Sequence, residues 1–349
     1  MAGPNPLVVH VSYEPMFPVL DLARIADIAP RAEVVLAPYD PGHEQRTRRS
    51  EEPTALDLAA GEPAIDEGLR GALARAEVMI ALDAPLDLPA QAPHLRWIQA
   101  LGSGVGQFVP CRLRNGPIVL TNASGISAAP IAEWVLARVL SVYKRLDEHA
   151  AQQRSHHWEP QLGALLAGGR ALVVGMGAIG TEVARRLRAF DVQVVGVRRS
   201  WTPGMTSPVA DELIGPDRLL EALGAAHIVV VAAPGTAANA NLFDAEAFAA
   251  MRRGAVFVNV ARGSLVDEPA LMAALRSGHL RAAAIDVTRQ EPLPADSPLW
   301  DTPNLAISPH SSTSADRYLE RTAELFYENL ARYVAGQNLV NVVDLADGY

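Results

Sequence analysis

From about residue 170 onward, hydrophobic residues occur in short unbroken runs that are separated by amphipathic stretches. Continuous apolar runs, unlike alternating ones, are typical of parallel strands that are buried on both faces. The predicted strands are Ala171–Val174, Val192–Val197, Ile228–Ala233, Ala255–Val260, Ala282–Val287 and Leu305–Ser308. Between the first two, apolar residues recur at helical spacing at Ile179, Val183, Leu187 and Phe190. Strands that alternate with helices in this way predict a doubly wound parallel sheet.

The first 125 residues show a second set of apolar runs. The strands predicted there are Leu7–Val11, Glu33–Ala37, Val78–Leu82, Arg96–Ala100 and Ile118–Asn122. Pro38–Glu62 is rich in proline, arginine and acidic residues, so we expect it to be a surface loop. Near the C-terminus, Ala315–Val334 is expected to be a helix, because one stripe of it is apolar. That stripe consists of Leu319, Phe326, Leu330 and Val334.

Because this last helix follows the final strand of the second set, we expect it to return to the first domain. The predicted fold class is α/β, with two doubly wound domains of Rossmann-like or flavodoxin-like type. One domain is expected to be split, with residues 1–126 and 312–349, and the other, residues 127–311, to be inserted in it. A chain of 349 residues suits two domains of ordinary size.

Composition and charge exclude several classes of protein. The net charge of −9 argues against a nucleic-acid-binding protein, which would need a basic face. No apolar run is long enough to span a bilayer, and the N-terminus lacks the features of a signal peptide. Cys111 is the only cysteine, so no internal disulfide can form. We therefore expect a cytoplasmic protein without a membrane or nucleic-acid partner.

A glycine-rich segment between the first strand and helix of the second set has the pattern G-x-G-x-x-G. Its residues are Gly175, Met176, Gly177, Ala178, Ile179 and Gly180. Such glycines allow a tight turn and a close approach of backbone N–H groups to a pyrophosphate at the helix N-terminus. The strand–turn–helix context favours a dinucleotide site over a glycine turn without a ligand.

The residue that ends the next strand predicts which dinucleotide is bound. Versions of this site that bind NAD have an acidic residue there, which contacts the ribose hydroxyls. This chain has Arg198, followed by Arg199 and Ser200. A guanidinium can hold a 2′-phosphate, which a carboxylate would repel. We expect NADP(H) to be preferred, with NAD(H) possible; the alternative is a solvated basic strand end.

Three later segments carry polar residues where predicted strands end, and this edge of a doubly wound sheet binds ligands. The segments are Asn259–Gly263, Asp286–Leu293 and Ser308–His310. In them, Arg262 could hold a carboxylate and polarise a keto oxygen, and His310 could exchange a proton. Glu291 could orient the histidine and favour its charged form.

These segments resemble the D-isomer-specific 2-hydroxyacid dehydrogenase family, which includes glyoxylate/hydroxypyruvate reductases, D-lactate dehydrogenases and phosphoglycerate dehydrogenases. The matching stretches are Gly175–Gly180, Asn259–Leu271, Ala284–Leu293 and Ser308–His310. The resemblance implies an oxidoreductase that transfers a hydride between NADP(H) and a small 2-keto or D-2-hydroxy acid of the glyoxylate/hydroxypyruvate type. Its split domain would bind substrate, and its inserted domain would bind the dinucleotide. No metal is expected.

The resemblance also implies roles for single residues. Arg262 would bind the substrate, Glu291 would pair with the catalytic histidine, and His310 would be the general acid/base. Further cofactor contacts are implied for Pro234, Ala261 and Asp286, and substrate-carboxylate contacts for the backbone of Ser103 and Gly104. This chain departs from the family pattern at Gly106 (usually acidic or amide), Gly235 (usually Leu) and Ser311–Thr313 (usually small apolar residues and glycine).

Two questions of partnership stay open at this level. Family members are usually homodimers, so the apolar helix Ala128–Arg145 is expected at a subunit contact, unless it is buried within its own subunit. Trp158 could reach a partner's pocket or lie in the core. The alternative function is that of a corepressor that senses a dinucleotide with the same fold and the same Arg/Glu/His set; Arg198 and the short tails argue against it.

Overall fold

The computed structural model describes residues 6–52, 55, 58–113, 116–314 and 316–344. Contacts divide the chain into two compact units. The first unit comprises the chain up to Ile126 and again from Asp316, and the second runs from Ser127 to Ala315. Each unit contains one parallel sheet, as the fold class predicts.

The first unit is built on a five-stranded sheet with the strand order β2-β1-β3-β4-β5. Its strands are β1 (Leu7–Val11), β2 (Ala32–Leu36), β3 (Val78–Ala81), β4 (Trp97–Ala100) and β5 (Val119–Thr121). The helices along this part of the chain are α1 (Leu22–Ile28), α2 (His43–Glu51), α3 (Glu67–Arg75) and α4 (Leu88–Gln91). All four residues of β3 and of β4 are buried, which explains the continuous apolar sequence of β3; β4 also buries the polar Gln99.

The second unit contains a seven-stranded sheet with the order β12-β11-β10-β9-β6-β7-β8. Its strands are β6 (Arg170–Val174), β7 (Gln193–Val197), β8 (Glu212–Ile214), β9 (Ile228–Val231), β10 (Val256–Asn259), β11 (Ala282–Ile285) and β12 (Leu305–Ile307). Its helices are α5 (Ala128–Lys144), α6 (Leu146–Arg154), α7 (Ala178–Arg188), α8 (Leu219–Leu223), α9 (Ala245–Ala250) and α10 (Glu268–Arg276). The strand order reverses at β6 and β9, which is where such sheets bind ligands.

The final helix is α11 (Tyr318–Val334), in the stretch where the apolar stripe predicted a helix, and it belongs to the first unit. The ring of Phe326 stacks on Trp97 of β4 at a centroid distance of 5.5 Å, and both side chains are fully buried. The prediction was wrong for the last residue of the apolar stripe, because Val334 is half exposed at the end of the helix. Ala315, the predicted first residue, lies outside the described residues.

Two other sequence predictions need correction. The prediction of six strands in the second unit missed β8, whose three residues are too few to show a pattern. The predicted surface loop Pro38–Glu62 contains the nine-residue helix α2 and a 3-10 turn at Leu58–Gly61. Helix α2 escaped prediction because the residue that it buries most deeply is the charged Arg49.

Candidate active site

The glycine loop after β6 is shaped by close backbone contacts. Gly175 has a φ of +101°, and a Cβ there would lie 2.5 Å from the backbone nitrogen of Ala233, which follows β9. A Cβ on Gly180 would lie 1.9 Å from the carbonyl oxygen of Gly175. These two positions therefore require glycine, and they bring β6, β9 and the start of α7 close together.

The first turn of α7 fits a pyrophosphate. Gly177 caps the helix without a side-chain hydrogen bond, and a Cβ built on it would meet nothing within 4 Å. The N–H groups of the first turn, starting at Ala178 and Ile179, have no acceptor within the helix, so they favour an anion here. Met176 is half-buried and packs against β7, where a Cβ on Gly196 would lie 2.6 Å from its Cγ.

Arg198, Arg199 and Ser200 follow the end of β7, and all three are exposed. The backbone N–H of Arg198 donates to Ile214 of β8 at 3.0 Å, which fixes the start of the turn. Its Nε donates to the Ser200 hydroxyl, also at 3.0 Å. The turn thus presents a guanidinium beside a hydroxyl at the end of the strand that follows the glycine loop.

Arg262 lies on a turn that Asn259, the last residue of β10, holds in shape. The Asn259 side chain accepts the Ala261 N–H and donates to the Arg262 carbonyl oxygen, both at 3.0 Å. Arg262 itself is exposed, and its guanidinium donates to the Ala261 carbonyl oxygen at 2.6 Å. A Cβ on Gly263 would lie 2.1 Å from the carbonyl of Thr288, so the Arg262 turn touches the segment that leads to Glu291.

His310 and Glu291 form a direct pair. Nδ1 of His310 lies 2.7 Å from Oε2 of Glu291, and Oε1 of that carboxylate accepts the Thr288 N–H at 3.0 Å. The hydrogen bond to Glu291 raises the pKa of His310, although partial burial and the charge of Arg262 oppose the increase. Partial burial alone would raise the pKa of Glu291, but its bonds to His310 and Thr288 outweigh burial and lower it.

This geometry fixes which nitrogen of His310 can react. Because Nδ1 faces a carboxylate, it carries a proton, and Nε2 is the nitrogen left to exchange a proton with a substrate. The His310 side chain is 54% exposed, so a small molecule has access to it. The pair therefore has the arrangement of a general acid whose charged form is stabilised by a carboxylate.

Asp286 follows β11 and is only 2% exposed. Its carboxylate accepts hydrogen bonds from the segment that carries His310, with donors at Ser308, Ser311 and Ser312. The sequence analysis noted Ser311–Thr313 as a departure from the family pattern and Ser308 as part of a strand-end segment, but it did not predict the bonds of these serines to Asp286. It likewise named the segment Asn259–Gly263 without assigning a role to Asn259 or Gly263.

The structure brings the remaining second-unit candidates to the same edge of the sheet. Pro234 is exposed after β9, and Ala261 is buried beside Arg262. Trp158 lies in the segment after α6 and is 93% exposed, so a core position for it is wrong.

Ser103 and Gly104 lie in the first unit, on the turn after β4, and both are exposed. The turn is held from two sides. Asn122 donates its side-chain amide to the Ser103 carbonyl oxygen at 2.9 Å, and the Tyr318 hydroxyl of α11 donates to Leu101 at 2.7 Å. Both bonds use carbonyl oxygens and fix the backbone of the exposed turn.

Within the described residues, no group of three or more His, Cys, Asp or Glu side chains could hold a metal ion. In the same residues, no helix is both long and apolar enough to cross a bilayer.

Comparison with known proteins identifies relatives of this chain. A sequence model described as the NAD binding domain of D-isomer specific 2-hydroxyacid dehydrogenases matches residues 136–312. Glyoxylate/hydroxypyruvate reductase B of Citrobacter koseri is 34% identical over 260 residues, which cover 72% of this chain and 79% of that protein. D-3-phosphoglycerate dehydrogenase of Mycobacterium leprae is 31% identical over 309 residues. This chain spans about half the length of such phosphoglycerate dehydrogenases, 56% in that case.

Among solved structures, a D-isomer specific 2-hydroxyacid dehydrogenase from Xanthobacter autotrophicus, in complex with NADPH and MES, is similar over 99% of this chain and 100% of its own. The TM-score is 0.75 at 29% sequence identity. The match extends over both units, and it agrees with the fold class that the sequence predicted. The family model, the relatives and the shared architecture together support a hydride-transferring oxidoreductase with a nicotinamide dinucleotide. The chain belongs to the D-isomer specific 2-hydroxyacid dehydrogenase family.

Proposed function

We propose that this protein reduces a small 2-keto acid of the glyoxylate or hydroxypyruvate type with NADPH, and oxidises the D-2-hydroxy acid in reverse. The observation that carries the proposal is the 2.7 Å contact between His310 Nδ1 and Glu291. It supplies a proton donor on the same sheet edge as the glycine loop and the exposed Arg262. The family relationship supports the reaction class, and the reductase among the relatives supports the substrate class.

Each step of the reduction assigns one task to a residue of the chain. The bound dinucleotide supplies a hydride to the keto carbon, and negative charge develops on the keto oxygen. His310 donates the Nε2 proton to that oxygen, and Glu291 stabilises the imidazolium before the transfer. Arg262 holds the substrate through its guanidinium, and the charge of this group also favours the developing alkoxide. We assign the N–H groups of Ser103 and Gly104 to the substrate carboxylate.

We also propose that NADP(H) is preferred over NAD(H). Arg198 and Arg199 end β7 without an acidic residue, and the bond from Arg198 to Ser200 places a cation and a hydroxyl together. An adenosine 2′-phosphate would receive charge-assisted hydrogen bonds from such a pair. The complex of the Xanthobacter relative with NADPH supports this assignment.

The test is a spectrophotometric assay with NADPH or NADH and a panel of keto acids, including glyoxylate, hydroxypyruvate and pyruvate. We expect turnover with NADPH and at least one small keto acid. His310→Ala should lower kcat by about 10² to 10⁴, the usual contribution of a general acid, while NADPH still binds. Arg262→Ala should raise KM and lower kcat together, because the arginine acts in both ground and transition states.

Two outcomes would contradict the proposal. Near-normal turnover in His310→Ala would place the proton donor elsewhere. Tight NADPH binding without turnover of any keto acid would favour the dinucleotide-sensing alternative.

A further inference from the structure

We propose that Ser312 is a positioning residue for His310, which it fixes through the buried carboxylate of Asp286. The inference rests on the proposed function, in which His310 exchanges the substrate proton. It gives Asp286 the task of holding the loop that carries the histidine, beside the contact with the cofactor that the family resemblance implies.

The hydrogen bonds of Asp286 are the first part of the argument. Oδ1 accepts the Ser308 hydroxyl at 2.5 Å, the Ser311 N–H at 2.8 Å and the Ser312 N–H at 2.9 Å. Oδ2 accepts the Ser312 hydroxyl at 2.5 Å. An ionised carboxylate offers about four acceptor sites. Three of these donors share Oδ1 and one binds Oδ2, so one short segment supplies four hydrogen bonds to the carboxylate.

The second part is the backbone of His310. Its φ is +51°, in the left-handed region that residues with a side chain rarely adopt. Such a conformation persists where neighbouring contacts determine it. Here the bonds to Asp286 hold the segment on both sides of the histidine, at Ser308 and at Ser311–Ser312. The His310 N–H itself donates to the Asp286 carbonyl oxygen at 2.9 Å.

The carboxylate keeps one acceptor site on Oδ2, beside the Ser312 hydroxyl. The cofactor contact that the family resemblance implies would use that site. The four hydrogen bonds to the side chain hold the segment from Ser308 to Ser312. A buried carboxylate also needs such donors, because an ionised group is costly to remove from water without hydrogen bonds.

Ser312 differs from its neighbour in one decisive contact. Both Ser311 and Ser312 donate a backbone N–H to Oδ1, but the hydroxyl bond to Oδ2 comes from Ser312. Ser312 is 5% exposed, whereas Ser311 is exposed. An alanine at either position keeps the backbone bond. Ser311→Ala is therefore a matched control for Ser312→Ala, one residue away on the same segment.

The first experiment measures NADPH-dependent reduction of glyoxylate, or of whichever keto acid the wild type reduces best, across pH. We expect Ser312→Ala to lower kcat about tenfold, the effect of one lost hydrogen bond to a charged group, with the KM for NADPH unchanged. Its alkaline limb should move to lower pH, because a loosened segment weakens the contact between His310 and Glu291. The charges of Arg262 and Asp286 also affect the pKa of the imidazole, and Ser312→Ala changes neither residue. Ser311→Ala should match the wild type.

The second experiment is independent of turnover. The pH titration of the His310 imidazole is followed by NMR in the wild type and both alanine variants, with His310→Gln used to assign the signal. We expect the midpoint to fall in Ser312→Ala alone. If the wild type reduces no keto acid, the proposed function fails, yet this titration still tests the role of Ser312. Equal kinetics and equal titrations in the two alanine variants would overturn the inference.

Two further variants guard against a folding defect in Ser312→Ala. Ser308→Ala removes the other hydroxyl bond to the carboxylate and should also lower kcat, while Ser312→Thr should restore activity by restoring a hydroxyl.

Discussion

Replacing Glu291 by glutamine tests the central pair of the site most directly. Glutamine keeps the size of the side chain and an oxygen that can accept the Thr288 N–H, but it removes the negative charge beside His310. The variant therefore changes the electrostatics of the imidazole with little change in its packing. Since the hydrogen bond to Glu291 raises the pKa of His310, we expect that pKa to fall in the variant.

The sign of the pH effect follows from the proton count. Reduction needs the imidazolium, which the wild type retains up to the raised pKa of His310. The alkaline limb of kcat for reduction should therefore move to lower pH in Glu291→Gln. The same pair stabilises the folded protein below the unfolded-state pKa of about 6.5, and this contribution is lost as pH rises through the folded value. The difference in thermal stability between the two proteins should accordingly be greatest at acidic pH.

The size of the effect follows from the geometry of the pair. A hydrogen bond to a charged group contributes about 1.5–3 kcal/mol. Here the side chains of His310 and Glu291 are 54% and 36% exposed, so solvent screening favours the lower end of this range. A loss of about 1.4 kcal/mol corresponds to roughly tenfold in rate. We expect the kcat for reduction to fall about tenfold near pH 7.5 and by less at acidic pH. The kcat for oxidation should also fall by less, because oxidation needs neutral His310.

The assay is a pair of pH–rate profiles, one for reduction and one for oxidation, measured on wild type and variant. Glu268→Gln is the control, because Glu268 accepts the Arg289 N–H at 2.7 Å and lies in the same unit outside the His310 pair. We expect its profiles to follow the wild type. An unmoved alkaline limb in Glu291→Gln, together with normal NADPH binding, would refute the assignment of His310 as an acid whose charge Glu291 stabilises.

Three further predictions concern the cofactor, the assembly and the stability of the first unit. Arg198→Asp should weaken NADPH binding about 10- to 150-fold and improve relative use of NADH, as KM values for both cofactors would show; equal efficiency with both in the wild type would contradict the assignment. Light scattering at micromolar concentration should give the mass of a dimer, which we expect to form through α5. In that dimer the exposed Trp158 would reach the partner's pocket, so Trp158→Ala should change the KM for the keto acid. A monomer would contradict both expectations. Arg49→Met should lower the free energy of unfolding by about 3–5 kcal/mol in denaturant titrations, because it leaves the buried Asp83 uncompensated, whereas the exposed Arg48→Met should change it little.

Those parts of the site that lie in one continuous motif could be predicted from the sequence. The glycine loop could be predicted because its sequence pattern reflects a steric limit: the backbone leaves no room for a Cβ at Gly175 or Gly180. The predicted pairing of Glu291 with His310 is present at 2.7 Å, although 19 residues separate them. The placement of both segments at strand ends of one sheet edge predicted this pairing, and the family resemblance implied it as well.

Contacts between distant segments could not be predicted from the sequence where the residues that form them belong to no motif. Arg49 is fully buried because it meets Asp83, the carbonyl oxygen of Ala84, the Tyr39 hydroxyl and Glu62, which come from separate parts of the chain. Hydrophobic periodicity assigns such an arginine to the surface, and the helix around it is then taken for a loop. Desolvation also raises the pKa of Asp83 to about 6, which its bonds to Arg49 partly oppose.

Two departures from the family pattern, Gly235 and Ser312, lie beside the proposed catalytic residues Arg262 and His310 and leave them unchanged. A Cβ on Gly235 would lie 2.9 Å from Cγ of Arg262, so a leucine there would need the space that the arginine stem now fills. On the other side of the site, Ser312 replaces a small apolar residue or glycine and adds a hydroxyl bond to Asp286 behind His310. Because Arg262 and His310 are retained, the chemistry stays that of the family. The residues that pack against them, Gly235 and Ser312, differ from the family pattern. We therefore expect these two residues to influence the space around the substrate, the orientation of the imidazole and hence the substrate specificity.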